Sequence, residues 1–151
     1  MTEGERAAAI EDIKQLKAKY WRGVDFADGE LVRSILAEDC ELDYRGCCTD
    51  PATGTDHMPQ MNIVLKGRDS WLAGALNGLV TVHQGHQSEI DFSSDTSASG
   101  IWVFTDRFFM PPGAPFSRLV GYGHYHDTYE KVWGKWLLKT TRITRLRVEV
   151  E

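Results

Sequence analysis

Two histidines open a strand-like stretch of the sequence, and one of them could act as a general base. The run from His83 to His86 begins a segment rich in β-branched and aromatic residues. Because successive side chains of a strand point to opposite faces, at most one of these histidines can face a pocket. Imidazole has the ordinary pKa nearest neutrality, which suits proton transfer. A single inward histidine is also often only a hydrogen-bonded core residue, so its position has to decide.

An aspartate lies in line with three aromatic residues further along the chain. Period-two alternation places Trp102, Phe104, Asp106 and Phe108 on one face of a strand. A carboxylate there lies either at the wet end of the strand or buried and paired. In the second case, His83 is a natural partner for Asp106.

Tyr20 and Asp25 end the first apolar stripe of the sequence, where a phenol and a carboxylate could join the same site. The ordinary role of Tyr20 is core packing with one partner for its hydroxyl. The ordinary role of Asp25 is to face water or to cap the next helix. Both alternatives stay open at this stage.

A second histidine pair lies beside two glycines in the segment from Gly121 to Asp127. Gly121 and Gly123 within a strand indicate a sharp bend or a close approach of backbone. His124 and His126 share one face, and this spacing could bind a metal ion. No third ligand is evident, which favours the absence of a metal site.

These residues need helices and strands to position them, and the first part of the chain predicts three helices. Apolar residues recur at helical spacing from Ile10 to Tyr20. After a break at 25–29, a short second helix follows over Leu31 to Leu36, with Asp28 as its N-cap. A third helix is predicted from about 69 to 79.

The rest of the chain predicts strands and loops. A short strand is expected at 41–44, and the Gly- and Pro-containing segment 45–60 is typical of a loop, which often covers a site. Long strand-like runs then occur at about 81–92, 98–109, 118–132 and 135–149. Helices followed by a meander of strands favour an α+β domain whose antiparallel sheet curls around the helices.

Composition and charge restrict the class of protein. A chain of 151 residues with 42% hydrophobic residues fits one packed domain, 1–151. The formal net charge of −5 gives no electrostatic reason to expect nucleic acid or an anionic membrane as a partner. The basic residues Arg142, Arg145 and Arg147 alternate with apolar ones, which favours scattered surface or pocket positions over a basic patch.

The cysteines and the N-terminal segment indicate the compartment. Cys40, Cys47 and Cys48 are odd in number with two adjacent, which is not typical of a disulfide framework or of a zinc site. The sequence has no apolar signal-peptide core and no run long enough to span a membrane. We therefore expect a soluble, cytoplasmic protein.

Taken in order, several of these segments resemble the SnoaL-like family of the nuclear-transport-factor-2-like superfamily. The matching segments are 16–25, 42–44, 82–90, 100–107 and 129–136, and the likeness covers nearly the whole chain. The resemblance implies a cone-shaped α+β barrel, with three N-terminal helices packed in a strongly curved, mostly antiparallel sheet.

The resemblance to bile-acid 7α-dehydratase and scytalone dehydratase within this family also implies a site. Its catalytic residues would be Tyr20, Asp25, His83 and Asp106. Tyr44 and Arg145 match pocket residues of these dehydratases, and the substrate-binding set is Tyr44, Trp102, Phe104, Phe108, Tyr125 and Arg145. Phe108 and Tyr125 replace a histidine and an asparagine of scytalone dehydratase, so its substrate is not carried over. The segment 47–61 is particular to this chain.

The implied activity is that of a dehydratase-type lyase or isomerase acting on a small hydrophobic polycyclic, steroid or polyketide-like substrate. It would use His/Asp acid–base catalysis and require no redox or metal cofactor. The same fold also serves as a non-catalytic ligand-binding module and as the small subunit of ring-hydroxylating dioxygenases, and these remain alternatives. The resemblance further implies a homotrimer, with a homodimer as the alternative.

Overall fold

The chain begins with two helices and continues with six strands. The computed structural model, which describes residues 1–71 and 78–151, places helix α1 at Glu3–Asp25 and α2 at Gly29–Ser34. The strands are β1 (Leu36–Asp43), β2 (Val64–Lys66), β3 (Val80–Ser94), β4 (Ser97–Phe109), β5 (Arg118–Val132) and β6 (Lys135–Val150). Short 3₁₀ turns lie at Pro59–Met61 and Arg68–Ser70.

The six strands form one sheet in the order β2-β1-β6-β5-β4-β3. Every neighbouring pair is antiparallel except β1 with β6, which run parallel. The sheet is curved and α1 packs against it, so the predicted α+β class with a mostly antiparallel sheet is confirmed.

Burial explains why the sheet holds α1. Along β4, Trp102, Phe104 and Phe108 are buried, whereas Ile101 and Val103 on the opposite face are partly exposed. Helix α1 presents a stripe to this inner face, with Ile13 and Leu16 among its buried members (the others include Tyr20 and Val24). Each fully buried aliphatic side chain contributes roughly 1.5–3 kcal/mol to folding, so this interface is a main source of stability.

Both helices begin at capping residues. Thr2 and Glu5 form a capping box that starts α1 before Ile10, where the apolar stripe becomes visible. The predicted cap of the second helix is confirmed, because the Asp28 carboxylate accepts a hydrogen bond from Leu31 N at 3.0 Å. The second helix was predicted to reach Leu36 and this is wrong: α2 ends at Ser34, because Leu36 pairs with Leu138 of β6.

The predicted long strands are confirmed with small differences at their ends. Strand β1 is longer than the predicted 41–44, and 45–60 is a loop of turns with one isolated bridge between Thr49 and Asp56. The third predicted helix lies mostly outside the described residues; the part described at its start is the turn Arg68–Ser70. In the described part of the chain, no helix has the length and apolar character needed to cross a membrane.

Candidate active site

A cavity of about 350 Å³ lies between α1 and the inner face of the sheet. Its wall is mainly apolar, with contributions from Val24, Ile63, Leu65, Phe108 and Ile143. The volume falls within the range of roughly 300–1,000 Å³ that is common for small-molecule sites. Polar groups on this wall are few, so each has a large influence on what the cavity can bind or transform.

His83 faces this cavity and is held from behind by Asp25. The Nδ1 atom of His83 lies 2.6 Å from Asp25 Oδ1, and the side chain of His83 is only 5% exposed. Asp25 also accepts hydrogen bonds from the Thr81 hydroxyl at 2.9 Å and from His83 N at 3.0 Å. Because a carboxylate can only accept, Nδ1 carries the hydrogen and Nε2 is left as the basic atom of a neutral imidazole.

Asp106 lies opposite His83 and is clamped by Arg145. The guanidinium donates to both carboxylate oxygens, at 2.8 and 2.9 Å, and both side chains are almost fully buried. Burial opposes the charge on Arg145, but the neighbouring Asp106 outweighs it and raises the pKa of Arg145. Asp106 is therefore buried and paired, as one alternative had it, but its main partner is Arg145. His83 Nε2 is 3.9 Å from Asp106 Oδ2, beyond hydrogen-bond distance.

Gly121 makes room for this ion pair. A Cβ atom at Gly121 would lie 2.3 Å from an Arg145 guanidinium nitrogen and 2.4 Å from Asp106 Oδ1. Gly121 is paired with Asp106 across β4 and β5. A close approach of backbone was one of the two expectations for this glycine, but the atoms closest to it are side-chain atoms of the site.

Two phenols form a third polar group on the wall. The hydroxyls of Tyr20 and Tyr44 are 2.6 Å apart, and one donates to the other. Burial raises the pKa of Tyr20 and of Tyr44 well above the ordinary range, so both stay protonated near neutral pH. Two hydrogens are shared between two oxygens, which leaves one O–H free to donate to a ligand.

A buried ion pair lies behind the tyrosines. Lys17 Nζ is 2.8 Å from Asp127 Oδ2, and both side chains are 0% exposed. The ammonium lies 3.6 Å from the ring centroid of Tyr125 and 4.7 Å from that of Tyr20. Tyr129 and Thr141 donate to the same carboxylate, at 2.7 and 2.5 Å. This cluster fixes the aromatic floor of the cavity.

Eight of the ten residues expected at the site lie at the cavity or directly behind it. The cavity wall holds Tyr20, Tyr44, His83, Asp106, Phe108, Tyr125 and Arg145, and Asp25 stands behind His83. The four polar residues that the resemblance implies as catalytic, Tyr20, Asp25, His83 and Asp106, therefore lie together in the structure.

Two predicted substrate-binding residues lie elsewhere. Phe104 packs at a tilted angle against Tyr125, with ring centroids 4.4 Å apart, and Trp102 donates through Nε1 to the Tyr129 hydroxyl at 2.9 Å. Both share the inner face of β4 as expected, but side chains of α1 and β5 cover them, so neither is on the described cavity wall.

Other cavity residues were not predicted, including Cys47, Trp71, Thr81 and Ile143. Thr81 and Ile143 follow the same alternation and could have been found from it. Cys47 lies in a loop, where no periodicity indicates direction. The Lys17–Asp127 pair was also missed, because nothing local joins residues so far apart in the chain.

The remaining histidines lie away from the cavity wall. His86 is exposed on β3. His126 Nε2 is 2.8 Å from the Thr144 hydroxyl, and its ring centroid is 6.4 Å from that of His124. Within residues 1–71 and 78–151, no three His, Cys, Asp or Glu side chains are grouped closely enough to hold a metal ion.

Comparison with known proteins gives relatives along nearly the whole chain. A protein named "Probable cyclase FGR4" from Gibberella zeae is 25% identical over 97% of this chain and 95% of its own length. The structure of a protein named "Putative Scytalone Dehydratase" from Novosphingobium aromaticivorans is similar with a TM-score of 0.79 and 23% identity, over 99% of this chain and 92% of that one.

A hexachlorocyclohexane dehydrochlorinase, LinA-type3 from Novosphingobium barchaimii, is similar with a TM-score of 0.77 and 19% identity, over 99% of this chain and 94% of that one. At these identities the structural likeness establishes the fold. The sequence model of the SnoaL-like domain matches residues 5–142. The chain therefore belongs to the SnoaL-like domain family, within the nuclear-transport-factor-2-like superfamily.

Proposed function

We propose that this protein is a lyase or isomerase of the dehydratase type, which uses general acid–base catalysis on a small hydrophobic polycyclic substrate. The observation that carries the proposal is the imidazole of His83, oriented by Asp25, with Nε2 turned to an apolar cavity opposite Asp106. A base placed in this way is what proton abstraction from carbon requires.

The reaction begins with proton transfer. His83 Nε2 removes a proton from a carbon next to a carbonyl group, and Asp25 stabilises the resulting imidazolium through Nδ1–H. The electron pair left on carbon moves to the carbonyl oxygen. That oxygen accepts a hydrogen bond from the free O–H of the Tyr20–Tyr44 pair, whose high pKa keeps it a donor.

Elimination or migration of the double bond completes the turnover. In a dehydration, the electron pair returns from the carbonyl oxygen and a C=C bond forms between the deprotonated carbon and its neighbour. The hydroxyl group on that neighbour takes a proton and departs as water. The proton comes from the imidazolium of His83, and the Asp106 carboxylate, which Arg145 holds 3.9 Å from Nε2, stabilises that cation until the proton leaves. In an isomerisation the same proton returns to a different carbon.

The relatives support this reaction class. Dehydration and dehydrochlorination, which appear in the names of two structural relatives, both remove a proton and a leaving group from neighbouring carbons. The apolar wall favours a substrate such as a steroid, a polyketide-like phenol or another fused-ring compound.

The test is proton exchange and elimination with a panel of such compounds. The protein is incubated in D₂O with ketone-bearing steroids and polyketide-like phenols, and mass spectrometry records deuterium uptake and loss of water. Deuterium uptake reports carbon–proton abstraction even where no leaving group departs.

His83→Ala and His86→Ala form the matched pair for this test. Both are on β3, but only His83 faces the cavity, so His83→Ala should lower the rate by about 10²- to 10⁴-fold while His86→Ala leaves it unchanged. Compounds that bind to the wild-type protein without exchange or elimination would instead identify a ligand-binding module. Equal rates in wild type and His83→Ala would remove His83 from the mechanism.

A further inference from the structure

Two adjacent thiols touch each other at the wall of the cavity. Cys47 and Cys48 lie in the turn after β1, with their sulfur atoms 3.6 Å apart. Both residues are buried and both are free thiols. Cys47 is one of the residues that line the cavity, so a small molecule in the cavity lies against it. The proposed reaction gives neither thiol a role.

The two thiols differ in reactivity. Hydrogen bonding from Cys48 lowers the pKa of Cys47 against the opposing effect of burial, and the nearby Arg145 acts in the same direction as Cys48. The hydrogen bond to Cys47 and burial raise the pKa of Cys48. Because the thiolate is the nucleophilic form, Cys47 is the residue that attacks the oxidant, and Cys48 is the resolving thiol beside it.

We propose that Cys47 and Cys48 form an oxidation site that takes hydrogen peroxide or another small hydroperoxide from the cavity and closes to a disulfide. The Cys47 thiolate attacks one peroxide oxygen and the O–O bond breaks. Cys47 becomes a sulfenic acid, and the departing oxygen takes a proton to form water, or an alcohol where the oxidant is an organic hydroperoxide. The Cys48 sulfur then attacks the Cys47 sulfur, an S–S bond forms, and the hydroxyl group leaves with the Cys48 proton as a second water.

The disulfide should be easy to reverse. Neighbouring Cα atoms are about 3.8 Å apart, whereas disulfides usually join Cα atoms at roughly 4.4–6.8 Å. The eight-membered ring that joins adjacent cysteines is therefore strained, and strained disulfides are the readily reduced, regulatory ones. A dithiol such as dithiothreitol should restore both thiols.

Formation of this disulfide ring would affect the acid–base site, because Arg145 is hydrogen-bonded to both. The Arg145 Nε atom donates to the carbonyl oxygen of Cys47 at 2.6 Å. That carbonyl belongs to the peptide between Cys47 and Cys48, which becomes part of the ring. Turning this peptide removes one of the anchors of Arg145, the residue that clamps Asp106. Oxidation and the position of Asp106 are thereby coupled.

The experiment uses the reduced, full-length protein treated with hydrogen peroxide. Remaining thiols are alkylated after unfolding, the protein is digested, and mass spectrometry gives the mass of the peptide that contains Cys47 and Cys48. We expect it to lose two hydrogens and to escape alkylation, while Cys40 is alkylated, and dithiothreitol to reverse the change. In Cys48→Ser the reaction should stop at a sulfenic acid that dimedone traps, whereas Cys40→Ser should still form the disulfide.

Two results would overturn the proposal. One is alkylation of both Cys47 and Cys48 after peroxide treatment; the other is the same oxidation product from wild type and Cys48→Ser. The coupling has its own readout, the NMR signal of the Arg145 Nε–H group, assigned by its loss in Arg145→Lys. Oxidation should shift this signal, and an unchanged signal would refute the link to Arg145. Neither measurement depends on the substrate or on the proposed lyase activity.

Discussion

Four of the five tyrosines are buried, and three of them, Tyr20, Tyr44 and Tyr125, line the cavity. Burial raises the pKa of Tyr20, Tyr44, Tyr125 and Tyr129, because a phenolate loses more than a neutral phenol when water is removed. In Tyr20 and Tyr44, the consequence is chemical: the pair stays in its donor form through the whole range in which a histidine base is active.

The buried phenols make a spectroscopic prediction. As pH rises through about 10, where free tyrosine ionises, the ultraviolet phenolate signal of the native protein should stay far below that of the protein in denaturant. The remaining signal should appear only when the protein unfolds at higher pH. Tyr20→Phe should reduce that late signal and leave the early one unchanged. Coincident curves for native and denatured protein would show that these phenols are not shielded.

At the scale of secondary-structure elements, the site depends on how closely β4, β5 and β6 approach one another. Asp106 comes from β4 and Arg145 from β6, and they meet across Gly121 of β5. A methyl group at Gly121 would have to displace charged atoms that are buried and mutually paired. The three atoms nearest to that position all belong to Arg145 and Asp106, not to a flexible surface side chain.

Gly121→Ala should therefore destabilise the protein by about 1–3 kcal/mol, the usual cost of overpacking a filled interior. Gly4→Ala is the control, because a Cβ atom at Gly4 meets nothing within 4 Å and alanine favours helix α1. Urea unfolding measures both free energies. If Gly121→Ala had the same unfolding free energy as Gly4→Ala, the Asp106–Arg145 pair would not be as tightly packed against Gly121 as the distances indicate.

The pair between α1 and β5 is a second test at this scale. Lys17→Met leaves the Asp127 carboxylate buried without its cation, which should cost about 3–5 kcal/mol of unfolding free energy. Lys14→Met, at an exposed position of the same helix, should change little. Replacing both partners, as Lys17→Met with Asp127→Asn, should recover part of the loss, and no recovery would argue against a paired charge.

The same lysine gives the stability of the protein a dependence on pH. Burial lowers the pKa of Lys17 from 10.5 to about 8, despite the opposing effect of Asp127. Between these values the unfolded chain holds a proton that the native protein has released. This contribution to the unfolding free energy therefore rises with pH from about 8 to 10.5. The rise should be missing from the Lys17→Met curve and should therefore appear in the difference between wild type and Lys17→Met, measured by urea unfolding across this window.

These elements also show what the sequence makes predictable. Alternation along β4 was enough to put Asp106 on the inner face, and the turn residues between strands located the ends of β3 to β6. Alternation says which way a side chain points, but not which distant side chain meets it. The pairings of Asp106 with Arg145 and of Lys17 with Asp127 span 39 and 110 positions, and only the folded sheet brings them together.

At the scale of the whole molecule, the two faces of the sheet have different partners. The inner face is covered by α1, whereas the outer face of β3, β4 and β5 carries apolar side chains with no cover in the described chain. They are Val80, Val82, Ile101, Val103, Phe109 and Tyr122, each at least 36% exposed. Large apolar side chains gathered on one exposed sheet face are typical of an interaction surface.

We expect this face to join copies of the chain, as a homotrimer in preference to a homodimer. Light scattering should give three times the mass of one chain for the wild type. Val103→Glu places a charge on the outer face of β4 and should yield monomers. The free energy needed to bury an unpaired carboxylate exceeds the free energy that the apolar contact contributes. Trp133→Ser is the control: Trp133 is fully exposed in the turn between β5 and β6, outside that face, and should not alter the mass. A wild-type protein that is monomeric at all concentrations tested would contradict self-association through the apolar face.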